Sequence, residues 1–202
     1  MVGRGRIEAL SDGLFAIVLT LLVLEIKPPV AQGDELRTEL LQDLPSWISF
    51  GVTFVLGSVS WVDQHRVLRS LSVVSGTSVA LNLLFLAFVT VLPFSTSLLG
   101  HNLRQPLADG IYFLNQLAID LALVAQLEIA IARKQVVSDA ALGRVRLRLA
   151  SLCFVFACGT IGLLIFEPKD IWMVLVPLLV VLRIVRAIWL RRERGAVAAV
   201  NG

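Results

Sequence analysis

The sequence predicts an all-α integral membrane protein with six membrane-spanning helices, and three observations predict it. Apolar residues make up 57% of the chain and charged residues only 16%, with a mean hydropathy of +0.84. Soluble domains carry about a quarter charged residues, so this chain lacks the polar surface that a water-facing fold needs. Six apolar stretches, near 7–26, 46–68, 76–100, 108–132, 147–166 and 170–190, are each long enough for a helix of about 20 residues to cross the bilayer core. Finally, the basic residues alternate from one side to the other across successive loops.

Each span has a chemical boundary. Lys27-Pro28-Pro29 ends the first, and Pro45 opens the second after a short acidic segment holding Asp34, Glu35, Glu39 and Asp43. The third runs into the loop Gly100-His101-Asn102-Leu103-Arg104-Gln105-Pro106, and the fifth gives way at Glu167-Pro168-Lys169-Asp170, a turn. The second span is the most polar at its end, where Asp63, Gln64, His65 and Arg66 follow one another. Residues 1–194 are read as one six-helix transmembrane domain, and 195–202 as a short tail.

Charge sets the orientation. With the N-terminus inside, fourteen of the 18 basic residues fall on the cytoplasmic side, leaving only Lys27, Arg37, Arg104 and Lys169 outside. That asymmetry follows the positive-inside rule and places both termini in the cytoplasm of a multi-pass cell-membrane protein. The net charge of +3 therefore reports topology; a nucleic-acid partner needs a clustered basic face on a soluble domain. A cleavable signal peptide fits residues 1–30 poorly, because Glu8 and Asp12 interrupt the basic region. Cys153 and Cys158 share one apolar run and read as small packing residues, with no disulfide or metal site. No paired-histidine metal motif, Gly-x-Ser-x-Gly or nucleotide loop occurs, so no enzyme, cofactor or resident metal is expected.

Ionisable groups within spans are costly and mark function or interhelical pairing. They concentrate in the first half of the chain. Asp12 reads in two ways: as one member of a buried network with Arg6, His65, Arg66 or the indole of Trp61, or as a direct contact for a transported ion. Asp120 reads as a buried partner, and Glu25 sits at the outer end where it reaches water. Leu10, Leu14, Ile17, Leu21 and Leu24 step by four and three along one face of the first helix. Thr20 borders that seam, and Asp12 projects roughly 140° away from Ile17 at 100° per residue. By geometry alone the seam is either ordinary helix packing or a functional lining.

The first span carries a longer signature. Gly5-Arg6-Ile7-Glu8-Ala9-Leu10-Ser11-Asp12-Gly13, followed by Phe15-Ala16-Ile17 and Thr20 to Lys27, closely resembles the first helix of the transmembrane protein 175 family, the endolysosomal potassium channels and their bacterial relatives. That family is marked by Arg, three residues, then Phe-Ser-Asp. Arg6, Ser11 and Asp12 match it and Leu10 replaces the Phe. Trp61-Val62-Asp63-Gln64-His65-Arg66 is also similar, with Gln64 in place of the first of two histidines, as is the stretch from Asn82 through Thr96.

The resemblance implies a homotetramer of six-helix subunits whose first helices line a central potassium-permeable pore, preferring potassium to sodium. It maps the apolar constriction onto Ile17, Leu21 and Leu24, with Thr20 as a hydroxyl layer. It makes Arg6, Ser11, Asp12, Trp61 and His65 an interhelical polar network. No Thr-Val-Gly-Tyr-Gly filter is present, so four copies of Ile17 or Leu24 would gate by dewetting. The alternative from another class is a small ion- or proton-coupled transporter using Asp12, Asp120 and His65 as a relay. Transporters show inverted repeats and helices broken at mid-membrane, and Pro93 and Pro177 do not fall in matching positions.

Overall fold

The computed structural model describes residues 3–30, 32–102, 105–137 and 140–165. Seven helices follow one another there: α1 (Arg4–Leu24), α2 (Asp34–Gln42), α3 (Leu44–Ser70), α4 (Gly76–Thr90), α5 (Leu92–His101), α6 (Pro106–Ala132) and α7 (Ala140–Ile165). Five spans are long and apolar enough to cross a membrane: α1, α3, α4 continued by α5, α6, and Val145–Gly162 of α7. The sixth expected span at 170–190 and the tail at 195–202 lie outside the described residues.

Local chemistry explains the boundaries. Pro45 and Pro106 sit in the first turns of α3 and α6, where a missing backbone N–H costs nothing. Ser75 caps α4, its Oγ accepting from the Ser78 N–H at 3.3 Å. The third span, expected as one helix, divides at Val91 into α4 and α5. Pro93 is the cause, because it has no N–H to offer the preceding turn and its ring crowds the carbonyl four residues back. The acidic connection after the first span also proves more ordered than expected. It forms α2, with Asp34 and Glu35 in its first turn, where carboxylates favour the positive end of the helix dipole.

In the bundle, α6 packs against α3, α4, α5 and α7, while α1 packs against α3, α4 and α5. We call the end where α1 begins basal and the end where it finishes apical. The largest apolar cluster joins Phe15, Val67, Phe85, Leu92, Ile119, Leu123 and Leu149 from six helices, with the Phe15 and Phe85 rings 5.8 Å apart. At the apical end α5 and α3 approach closely: a Cβ on Gly100 would stand 2.9 Å from the Ser46 Cα. At the basal end a two-residue clip joins the α3–α4 and α6–α7 connections. Leu71 pairs with Val136, Ser72 N donates to Gln135 O (2.8 Å), and Val137 N donates to Ser70 O (2.9 Å). The Arg4 guanidinium donates to the Leu71 carbonyl and ties α1 to the same clip.

The distribution of polarity is that of a membrane protein. Asp63, Gln64, Asn82, Ser95, Asp109, Asn115, Gln116 and Asp120 are buried, while Ile48, Phe94, Leu107, Leu147 and Phe154 are exposed. In water such an exterior is an aggregation surface; in a bilayer, acyl chains cover it at no cost.

Candidate ion pathway and its supporting polar network

Helix α1 turns two different faces to its surroundings. Ile7, Ser11, Phe15, Val18 and Leu22 are buried, at steps of four, four, three and four, and they pack toward α3, α4 and α5. Opposite them, Leu10, Ile17, Leu21 and Leu24 are exposed, Ile17 at 61% and Leu24 at 72% against 3% for Val18. Thr20 is exposed beside them. Leu14, assigned to the same seam from the sequence, is half-buried and packs against the large apolar cluster. It lies at the edge of the outward stripe, where a four-residue step has carried it round toward the core.

The chemistry of that stripe follows from one pair of contacts. Thr20 Oγ1 donates to the carbonyls of Ala16 (2.9 Å) and Ile17 (2.8 Å). Its proton is therefore committed to the helix, and its lone pairs are left for whatever lies outside. A hydroxyl held this way offers oxygen to a cation and no donor to an anion. The apolar neighbours on either side give water nothing to bind.

The residues expected to form one polar network separate into two. On the outward flank, Trp61 Nε1 donates to Asp12 Oδ1 at 2.8 Å, and the Trp61 and His65 rings lie 5.8 Å apart. Inside the bundle, Gln64 Nε2 donates to Ser11 Oγ (2.8 Å) and to Asn82 Oδ1 (2.9 Å), and Asn82 Nδ2 donates to Ser11 Oγ (3.3 Å). Adjacent residues 11 and 12 thus reach different neighbours because they stand about 100° apart on the helix. Arg6 joins neither group: it is exposed, and its side chain has no partner among the described residues. Asp12 is exposed in the single chain, although its sequence context suggests burial.

Gln64 and Asn82 are not among the expected site residues, yet both donate to Ser11, whose hydroxyl in turn donates to the Ile7 carbonyl at 2.9 Å. Their signal was simple: both are amides inside apolar runs. A further buried layer links α3, α5 and α6. Thr96 Oγ1 donates to Thr53 Oγ1 (3.1 Å), which lies 3.0 Å from the Tyr112 hydroxyl, and Gln116 Nε2 donates to that hydroxyl at 3.3 Å. Nearer the base, Asp63 pairs with Arg66 (3.1 Å) and Arg148 (2.7 Å). Asp120, on α6, is 3% exposed and lies inside the bundle. At the apical end of α1, Leu22, Glu25, Phe50, Thr96 and His101 line a small crevice.

The fold and these features define a polytopic helical membrane protein with a polar interior and an outward apolar stripe on its first helix. The model of the family described as endosomal/lysosomal potassium channel TMEM175 matches residues 6–93. Over 92% of its length the chain superimposes on 96% of the crystal structure of a lysosomal potassium-selective channel TMEM175 homolog from Chamaesiphon minutus, with a TM-score of 0.74 and 30% identity. The chain belongs to the TMEM175 family. It is 38% identical over 126 residues to the potassium channel B446_29190 of Streptomyces collinus, covering 60% of this chain and 61% of that protein. Against the potassium channel Cha6605_3372 of Chamaesiphon minutus it is 42% identical over 107 residues, covering 52% and 53%. The matched segments thus span between half and two thirds of those relatives. A more distant relative from Gallus gallus, 31% identical over 106 residues (48% of this chain and 21% of that protein), is named an endosomal/lysosomal proton channel. The relatives are named as channels, not as enzymes.

Proposed function

We propose that the chain is one subunit of a homotetrameric, potassium-permeable channel of the cell membrane, with residues 1–194 as the channel domain and four copies of α1 around a central axis. The observation that carries this reading is the outward stripe of Ile17, Thr20, Leu21 and Leu24 on the first helix of a chain in this family. Packing supports it as well. Phe15, Phe85, Leu92, Ile119 and Leu123 fill the heart of the subunit, so an ion path belongs between copies rather than through one.

In this reading, rings of Ile17, Leu21 and Leu24 form apolar constrictions that exclude water when narrow. Ile17 sets the narrowest bore, because its β-branched side chain is stiff at χ1. The Thr20 oxygens replace part of the hydration shell that a passing ion gives up. Potassium holds its shell less tightly than sodium, so the preference is for potassium, and it is weaker than a carbonyl filter gives. Both termini face the cytoplasm, and no cofactor takes part.

Potassium flux into proteoliposomes, measured with no gradient of any second ion, tests the proposal. A channel gives flux that follows the potassium gradient alone and exceeds the flux of sodium. Flux that needs a proton or sodium gradient would establish a coupled transporter instead. Because relatives bear both potassium and proton names, a pH-sensitive dye in the same vesicles decides whether protons share the path. Chemical cross-linking that stops at four copies checks the assembly.

A further inference from the structure

The basal end of the bundle holds positive charge that the proposed pore does not use. Four basic side chains from three segments surround the Leu71–Val136 clip. Arg4 donates to the Leu71 carbonyl, and Arg133 donates to Thr77 Oγ1 at 2.7 Å. Arg69 lies in the last turn of α3, and Lys134 follows Arg133, the cap residue of α6. Arg69 and Lys134 are exposed, and among the described residues neither has an ion-pair partner. Two acids of this end are already engaged: Asp63 pairs with Arg66 and Arg148, and Glu128 with Arg146.

Lys134 is also the single non-glycine residue with positive φ (54°) among the described residues. Its N–H donates to Ile131 O, and the Gln135 N–H donates to Ala130 O, both at 2.9 Å. This is the Schellman ending of a helix, and it puts Lys134 where glycine usually stands because an L side chain is crowded there. The chain therefore keeps a strained backbone at a residue whose difference from glycine is a long arm with an ammonium group. Such strain collects at functional positions.

We propose that this basal collar is a binding site for the headgroup of an anionic phospholipid, with Arg69 and Lys134 holding the phosphate and Arg133 and the exposed Ser72 beside it. Charge complementarity argues for an anion. Position argues for a lipid: α1, α3, α4 and α6 all begin or end here, so a leaflet surface lies at this depth and holds phosphates against the collar. Basic clusters at the end of membrane spans recognise acidic headgroups in this way. The site needs only the membrane-spanning arrangement and stands independently of the channel reading. Its consequence for α1 comes through Arg4, which fastens the first turn of that helix to the same clip.

The test is thermal melting of the purified full chain in neutral detergent with added short-chain phosphatidylglycerol, phosphatidylcholine or inorganic phosphate. Phosphatidylglycerol raises the midpoint of the parent protein by several degrees, and the other two additions do not. Lys134→Gly, which suits the backbone and so keeps the fold, loses most of that rise, and Arg69→Gln combined with it loses the rest. Lys27→Gln combined with Arg37→Gln at the apical end retains the whole rise. The proposal is overturned if the Arg69/Lys134 double variant keeps the parent's rise. An equal response to phosphatidylcholine or to inorganic phosphate overturns it too, as does loss of the response in the apical variant.

Discussion

Trp61 and Asp12 join α3 to α1 through one hydrogen bond of 2.8 Å from the indole N–H to the carboxylate. The contact leaves the outward stripe untouched, because Asp12 stands well round the helix from Ile17. It adds to the buried contacts of Ser11, Phe15 and Val18 in holding the rotation of α1 about its axis. Trp61→Phe keeps the ring and removes the donor. We expect a stability loss of about 1 kcal/mol, below the roughly 1.5–3 kcal/mol of bonds to charged groups because both residues are exposed, with unchanged potassium-to-sodium permeability ratios. In the proposed assembly, Asp12→Asn is expected to reduce the tetramer fraction on size exclusion. A well-assembled tetramer with strongly altered selectivity would assign Asp12 to the ion path.

Gln64 makes the deeper lock. Its amide serves both Ser11 and Asn82 and is fully buried. Gln64→Leu takes the donor from Asn82 Oδ1 and leaves Ser11 with the Asn82 amide and the Ile7 carbonyl, at a cost of about 1–3 kcal/mol for the buried polar atom stranded. Thermal unfolding in detergent reads this directly, and a midpoint equal to the parent's would contradict the assignment.

Arg148 and Asp63 form a buried ion pair between α7 and α3. Arg148→Met takes one cation from the buried Asp63 carboxylate, and breaking such a pair costs about 3–5 kcal/mol. Adding Asp63→Leu removes the buried charge that Arg148 balanced and is expected to restore much of the loss. A double variant as unstable as the single one would show that the pair contributes by shape rather than by charge.

If the α1 stripe lines the path as proposed, substitutions on it separate conduction from stability. Ile17→Asn is expected to wet the narrowest ring and raise conductance, with Leu24→Ser second, while Thr20→Ala lowers the preference for potassium. Val23, exposed but about 120° from Ile17 on the helix, is the control whose substitution changes neither property. Val18 does not serve as a second control: at 3% exposure it belongs to the core, and Val18→Ala is expected to lower the melting midpoint. Single-channel recording beside thermal unfolding distinguishes these outcomes. Conductance that responds to Val23 but not to Ile17 or Leu24 would place the pore on another face.

Gly100 marks the closest crossing of α5 and α3. A Cβ there meets the Ser46 backbone at 2.9 Å and its Oγ at 3.2 Å, and backbone cannot swing aside as a side chain can. Gly100→Ala is expected to cost about 1–3 kcal/mol, the usual range for overpacking. Gly51→Ala, which meets nothing within 4 Å, is the neutral comparison in the same melting experiment.

What the sequence by itself determined was the class of protein and the lines along which α1 divides. Its apolar runs are long enough to span a bilayer, and no tertiary context is needed to read that. The Arg6-Ser11-Asp12 signature carried the family, and a fixed rise of 100° per residue separated Asp12 from Ile17 before any neighbour was known. Other features were beyond it for definite physical reasons. Leu14 and Ile17 look alike in a pattern, and only the large apolar cluster draws the first toward the core. Ser11 and Asp12 are adjacent in the chain, yet the tertiary structure sends one to Gln64 and Asn82 and the other to Trp61. That choice depends on how α3 and α4 are rotated, which is set by the whole core at once. The same holds for Lys134, an unremarkable charge in the sequence. Its left-handed backbone exists because the clip between Leu71 and Val136 requires the chain to turn back directly after α6.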